Sequence, residues 1–194
     1  MTEQRSQTQV FLFCLAWVAV HLLTAAVLEA GGLGPSLSRP SRHIFWGTLL
    51  FTIQAPLLVG WLGAGKDTPA WAIGGVLFGA LNFVAVPFMT GMSYGLCRSL
   101  VPGCAELSML LPLLPIGLFL GIAQWLLGRR QARWTAWLIP AQIAGIVAFV
   151  IVFIRATSGA RPPSGELLPA SVLATLAYAL VVALALPGLR PRPR

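Results

Sequence analysis

GLFLGIAQWLLGRRQARWTAW, residues 117–137, joins two apolar runs through a turn that holds Arg129, Arg130 and Arg133 between Trp125 and Trp134. A water-soluble fold gains nothing from arginines wedged between segments this apolar. A membrane hairpin needs them, because cations and indoles collect where hydrocarbon gives way to headgroups and water. The stretch therefore reads as two transmembrane helices and a basic turn facing the cytoplasm, and it makes lipid the solvent for the rest of the chain.

Composition carries the same reading to both ends. Of 194 residues, 57% are hydrophobic and 9% charged, and the mean hydropathy is +0.83. Such a chain has too little polar surface to cover a soluble domain. No segment is polar enough to stand apart, so the sequence predicts a single integral membrane domain over residues 1–194. The formal net charge of +8 comes from 12 Arg and one Lys against five acids. These cations fall at expected helix ends and in the tail, where anionic headgroups and loop asymmetry account for them, so no nucleic-acid partner is expected.

A hydrocarbon layer of about 30 Å takes roughly 20 helical residues to cross. Working outward on that ruler, the sequence predicts spans at about 10–30, 43–62, 70–90, 108–127, 134–154 and 169–186. The expected fold is all-α: a polytopic bundle of six transmembrane helices. The first apolar run is longer than the core of a secretory leader and lacks a small-residue cleavage site after it, so it reads as a retained helix. Residues 1–9 are polar and read as frayed. Gly, Pro and Ser make connectors of 31–42 and 155–168, a polar turn occupies 63–69, and 91–107 is the longest connection. Trp46 and Trp61 flank the second span as interfacial anchors, and Trp71 opens the third. Gly74, Gly75, Gly79 and Ala80 form one small-residue face and Gly117 with Gly121 another, both suited to close helix contact.

Six spans put the two termini on one side of the membrane. That side holds eight cations, Arg129, Arg130 and Arg133 among them, and the other holds five. The richer side belongs in the cytoplasm, which predicts cytoplasmic N- and C-termini. Cys97 and Cys104 then share an outward-facing loop and are candidates for a disulfide. That loop has no further His or Cys to hold a metal. Cys14, inside the first span, reads as a small apolar filler.

Four hydrogen-bonding side chains, His21, Gln54, Asn82 and Gln142, fall near the middle of the first, second, third and fifth spans. Polar groups in hydrocarbon are costly and normally face the bundle interior, so these four are the candidate ligand-binding residues. The competing account has them bonding across helices or to carbonyls freed by Pro56, Pro87 and Pro140. His21 also has the chemistry to ligate a tetrapyrrole metal, although nothing in the sequence requires a cofactor. Catalytic patterns are absent: there are no paired carboxylates at membrane depth, no HExxH, no G-x-S-x-G and no P-loop. The Gly91–Gly95 segment, with Ser93 between glycines, reads as a turn.

An internal echo accompanies the polar residues. Gly47 precedes Gln54 by seven positions, as Gly117 precedes Gln124. Each run leads through a basic turn to an Ala-Trp pair, Ala70-Trp71 or Ala136-Trp137, which makes spans two and three a candidate copy of spans four and five.

Gly121, Gln124, Trp125, Leu126, Arg129 and Arg130 form the pattern G-x-x-Q-W-L-x-x-R-R. With Ala136-Trp137 following, this resembles the hairpin of a group of small multi-pass bacterial membrane proteins of unassigned function. The resemblance covers spans four and five and implies a bacterial inner-membrane setting. In length and span count the chain is also similar to the substrate-binding membrane components of vitamin uptake systems, with no shared motif. The leading expectation is a non-enzymatic accessory or assembly subunit whose partners are the lipid bilayer and other membrane protein subunits. The alternatives are a small-solute binding or transport component built on the mid-span polar residues, and a tetrapyrrole-bearing subunit that uses His21.

Overall fold

The computed structural model describes residues 6–30, 40–62, 65–100, 113–129, 132–133, 135–156 and 167–191. Within them the architecture is helical: α1 (Gln7–Ala30), α2 (Pro40–Leu62), α3 (Thr68–Leu100), α4 (Leu114–Gly128), α5 (Leu138–Ala156) and α6 (Leu167–Ala183). Short 3-10 turns occupy Gly65–Asp67, Thr135–Trp137 and Leu186–Gly188. A two-residue strand β1 (Ala132–Arg133) pairs antiparallel with β2 (Arg190–Pro191).

The helices begin and end for local reasons. α1 starts at Gln7, earlier than the polar composition of residues 1–9 predicts, because Ser6 and Gln9 form a reciprocal capping box. The Gln9 N–H donates to Ser6 Oγ at 3.2 Å and the Ser6 N–H to Gln9 Oε1 at 3.0 Å, which satisfies donors that a bare helix end leaves open. α4 opens on Pro115 in its first turn, where a missing N–H costs nothing. Against the expected loop at 91–107, α3 continues to Leu100 through Gly91 and Gly95. A glycine lowers helix propensity by about 1 kcal/mol relative to alanine, which does not end a helix of 33 residues. The turn reading of Gly91–Gly95 is corrected accordingly.

Four segments are long and apolar enough to cross a membrane: Gln7–Ala30, Thr68–Met92, Thr135–Ala156 and Pro169–Gly188. Two further apolar stretches, Gly47–Leu62 and Leu114–Gly128, are shorter. At 1.5 Å per residue, the 15 residues of α4 rise about 22 Å, less than a hydrocarbon core. The first part of the predicted fourth span lies outside the described residues.

The molecule is inside-out relative to a soluble protein. Phe11, Leu23 and Val27 on α1 and Val76, Phe83 and Val84 on α3 are more than 60% exposed, while His21, Gln54, Asn82, Gln124, Gln142, Ser171 and Thr175 are buried. That distribution suits a solvent of acyl chains.

Packing follows a ring. α1 meets α2, α2 meets α4, α4 meets α5, α5 meets α6, and α6 returns to α1, while α3 packs on α2 and α4 from outside the ring. α4 and α5 approach most closely at Gly121, where an added Cβ would lie 2.5 Å from Ile139 Cα. At Gly117 it would lie 3.0 Å from the Gln142 carbonyl oxygen. This is the small-residue contact the sequence predicts. On α3 the expected small face divides. Gly74, Gly75 and Gly79 lie against Leu127, Phe51 and Thr48, whereas Ala80 is exposed.

Tryptophans also divide. Trp137 is 59% exposed, as an interfacial indole should be, but Trp71 is buried. Trp71 shares an α3 face with Gly75, Phe78 and Asn82, one turn apart each, and its ring lies 6.3 Å from that of Phe51. Trp61 stacks on Phe13 at 4.2 Å, tying α2 to α1.

Candidate functional site

Each of the five ring helices sends one buried polar side chain to the same place: His21 from α1, Gln54 from α2, Gln124 from α4, Gln142 from α5 and Tyr178 from α6. Four of the five are fully buried and His21 is 1% exposed. Hydrogen bonds join all of them. Gln54 Nε2 donates to Tyr178 Oη at 2.7 Å and to His21 Nε2 at 2.9 Å. Its Oε1 accepts from Gln124 Nε2 at 2.6 Å and from Gln142 Nε2 at 3.0 Å. Gln142 Nε2 gives its other proton to Gln124 Oε1 at 2.9 Å, and Tyr178 Oη donates to Gln142 Oε1.

The histidine tautomer follows from its neighbours. His21 Nδ1 lies 2.6 Å from the Trp17 carbonyl oxygen, which only accepts, so Nδ1 carries the proton. Nε2 is then the acceptor for the Gln54 amide, and the ring is neutral. It packs between Trp17, 4.8 Å away, and Tyr178, 5.7 Å away.

Chemically, this is a closed neutral cluster. Gln54 and Gln142 each donate both amide protons within the cluster, and both accept there as well. In a low-dielectric interior such mutually polarised bonds rigidify the elements that carry them. An axial bond from His21 to a tetrapyrrole metal would have to break the Gln54 contact and open the ring packing, so His21 does not fit that role in this conformation.

Of the four candidate residues, the structure brings together His21, Gln54 and Gln142. Asn82 lies apart, because α3 is outside the ring. Its Nδ2 donates to the Phe78 carbonyl one turn back, at 2.9 Å. Thr52 and Thr90 turn back on their own helices in the same way. Asn82 Oδ1 has no hydrogen-bond partner among the described residues. Gln124 and Tyr178 complete the cluster and stand outside the four. Gln124 stands out in the sequence through the Gly-Gln spacing it shares with Gln54 and through the G-x-x-Q-W-L pattern, neither of which marks it as a site residue. Tyr178 gave no signal, since a tyrosine in an apolar run reads as bulk.

On α4 and α5 the cluster lies toward the basic turn. Gln124 is four residues from the end of α4 and Gln142 four from the start of α5, about 6 Å of helix rise from the basic turn. Of the other predicted features, Arg129 is exposed and caps α4, its N–H donating to the Trp125 carbonyl at 2.8 Å. Arg133 lies in β1, opposite Arg190, and Arg130 is outside the described residues. The Cys97 side chain and all of Cys104 likewise lie outside them, so the disulfide falls there too. Among the described residues no group of His, Cys, Asp and Glu is arranged to hold a metal.

A recess of about 470 Å³ opens between α3, α4 and α5, lined by Ala85, Phe88, Met89, Leu114, Pro115, Leu118, Phe119 and Ile143. It contains no polar side chain and does not reach the cluster. No known protein family, curated protein or solved structure matches the chain.

Proposed function

We propose that this chain is a six-span protein of the bacterial inner membrane, with both termini cytoplasmic, that serves as a non-enzymatic accessory or assembly subunit of a larger membrane complex. One observation carries the reading: one buried polar side chain from each of five helices joins a single hydrogen-bonded cluster. A solute carrier keeps polar groups at depth turned toward a ligand, whereas here the amides join helix to helix. The resulting bundle is locked inside and apolar outside. Its broad faces on α1 and α3, where Leu, Val and Phe are more than half exposed, offer surface to lipid and to neighbouring helices.

The alternative, a small-solute binding or transport component, draws on the same cluster. Extraction in a mild detergent separates the two. The subunit reading predicts that the chain elutes with other membrane proteins in fixed ratio. A chain that elutes alone, and whose thermal unfolding shifts upward with a small polar solute, contradicts it.

A further inference from the structure

α1 and α6 run antiparallel, and their shared seam carries polar groups beyond the cluster. At one end Ser171 Oγ donates to Glu29 Oε1 at 2.5 Å. Near the other, Cys14 Sγ contacts the Ala183 carbonyl at 3.8 Å. Between them the His21 and Tyr178 rings meet. On α6 the residues Ser171, Thr175 and Tyr178 follow at intervals of four and three, on one face, and all three are buried. Thr175 Oγ1 has no hydrogen-bond partner among the described residues, although it is only 2% exposed. Interpolating between the Glu29–Ser171 and His21–Tyr178 contacts sets Ala25, a small side chain, across from it.

Side chains three or four apart on a helix have Cβ atoms about 5–6 Å apart. Thr175 therefore lies between Ser171 and Tyr178 on the seam, and a water held at its hydroxyl has both as neighbours. A buried hydroxyl without a partner is the group that such a water satisfies. We infer that water enters the bundle along the α1–α6 seam from the end bearing Glu29, binds at Thr175, and links the Glu29–Ser171 pair to the His21–Gln54–Tyr178 cluster. The seam thereby forms a hydrated spur joining a carboxylate at the rim of the bundle to an imidazole in its interior. This role is independent of whether the chain assembles with other subunits.

The test uses the full chain in membrane vesicles, with Cys14, Cys97 and Cys104 replaced by alanine. Thr175→Cys is compared with Leu173→Cys, a position that is 51% exposed on the outer face of the same helix. A small charged methanethiosulfonate reagent, which needs water and a thiolate, is added on the Glu29 side. The spur predicts that Thr175→Cys reacts at least about tenfold faster than Leu173→Cys, because a thiol ionises in contact with water and not in hydrocarbon. Equal or slower reaction overturns it. Should Thr175→Cys fail to fold, Thr175→Val and Thr175→Ser decide. A hydrated Thr175 predicts that Val lowers the unfolding temperature by about 2–4 °C while Ser keeps it. A rise with Val, the result of removing a dry unpaired hydroxyl, overturns the inference.

Discussion

Gln54 holds the centre of the polar cluster, with four hydrogen bonds to side chains of four other helices. Replacing it with leucine keeps the volume but leaves groups of His21, Tyr178, Gln124 and Gln142 without their Gln54 partner in a buried site. Each stranded group costs about 1–3 kcal/mol, so Gln54→Leu should destabilise by at least about 2 kcal/mol. Asn82→Leu removes one back-bond to Phe78 along with an oxygen that has no partner among the described residues, and should cost less than about 1 kcal/mol. Denaturant unfolding of both variants in detergent compares them, and equal losses would mean that the cluster holds no special place. Residue type made His21, Gln54 and Gln142 legible in the sequence, since each breaks an apolar run. Asn82 broke one as plainly and proved to be different, because depth along a helix is readable from sequence and position within a ring is not. Tyr178 was hidden for the opposite reason: its ring belongs in an apolar segment and only its hydroxyl takes part in the cluster.

Among the elements, α4 and α5 meet through glycine. Gly121→Ala would place a Cβ 2.5 Å from Ile139 Cα, a backbone atom that moves only if the helices separate. Gln124 and Gln142, each one turn away from this contact, would be pulled apart with it. A loss of about 2–4 kcal/mol is expected, within the range of overpacking plus broken buried bonds. Gly60 has nothing within 4 Å of its added Cβ, and Gly60→Ala should hold or raise stability by up to about 1 kcal/mol. Thermal unfolding of the pair checks the contrast, and a Gly121→Ala protein as stable as Gly60→Ala would refute the close contact. The small-residue spacing announced this interface in the sequence. Element ends were harder to read. Glycine and serine at 91–95 signalled a break that the long α3 overrides, and the Ser6–Gln9 box extended α1 into residues that composition alone marks as frayed.

For the whole molecule, β1 and β2 fix one relation that hydropathy only implies. Ala132 pairs with Pro191 and Arg133 with Arg190, so the basic turn after α4 and the segment after α6 lie at the same end of the bundle. The Cys14–Ala183 and Glu29–Ser171 contacts run α1 antiparallel to α6, which brings the start of α1 to that end as well. The count of cations pointed the same way, but by eight against five, a margin that charge alone does not make decisive. Length and composition mark the four long apolar segments as able to cross a membrane. The Gly47–Leu62 and Leu114–Gly128 stretches are shorter, and they owe their place in the bundle to glycine contacts and the polar cluster more than to length. Six crossings require that residues 1–6, the Arg129 turn and the tail after Arg190 all face one side of the membrane, and the proposed orientation makes that side the cytoplasm. Reporter fusions at Ser6, after Arg129 and after Arg194, scored for activity on either side of the membrane, measure this directly. The account predicts cytoplasmic activity at all three sites, and any one of them facing the opposite side would contradict it.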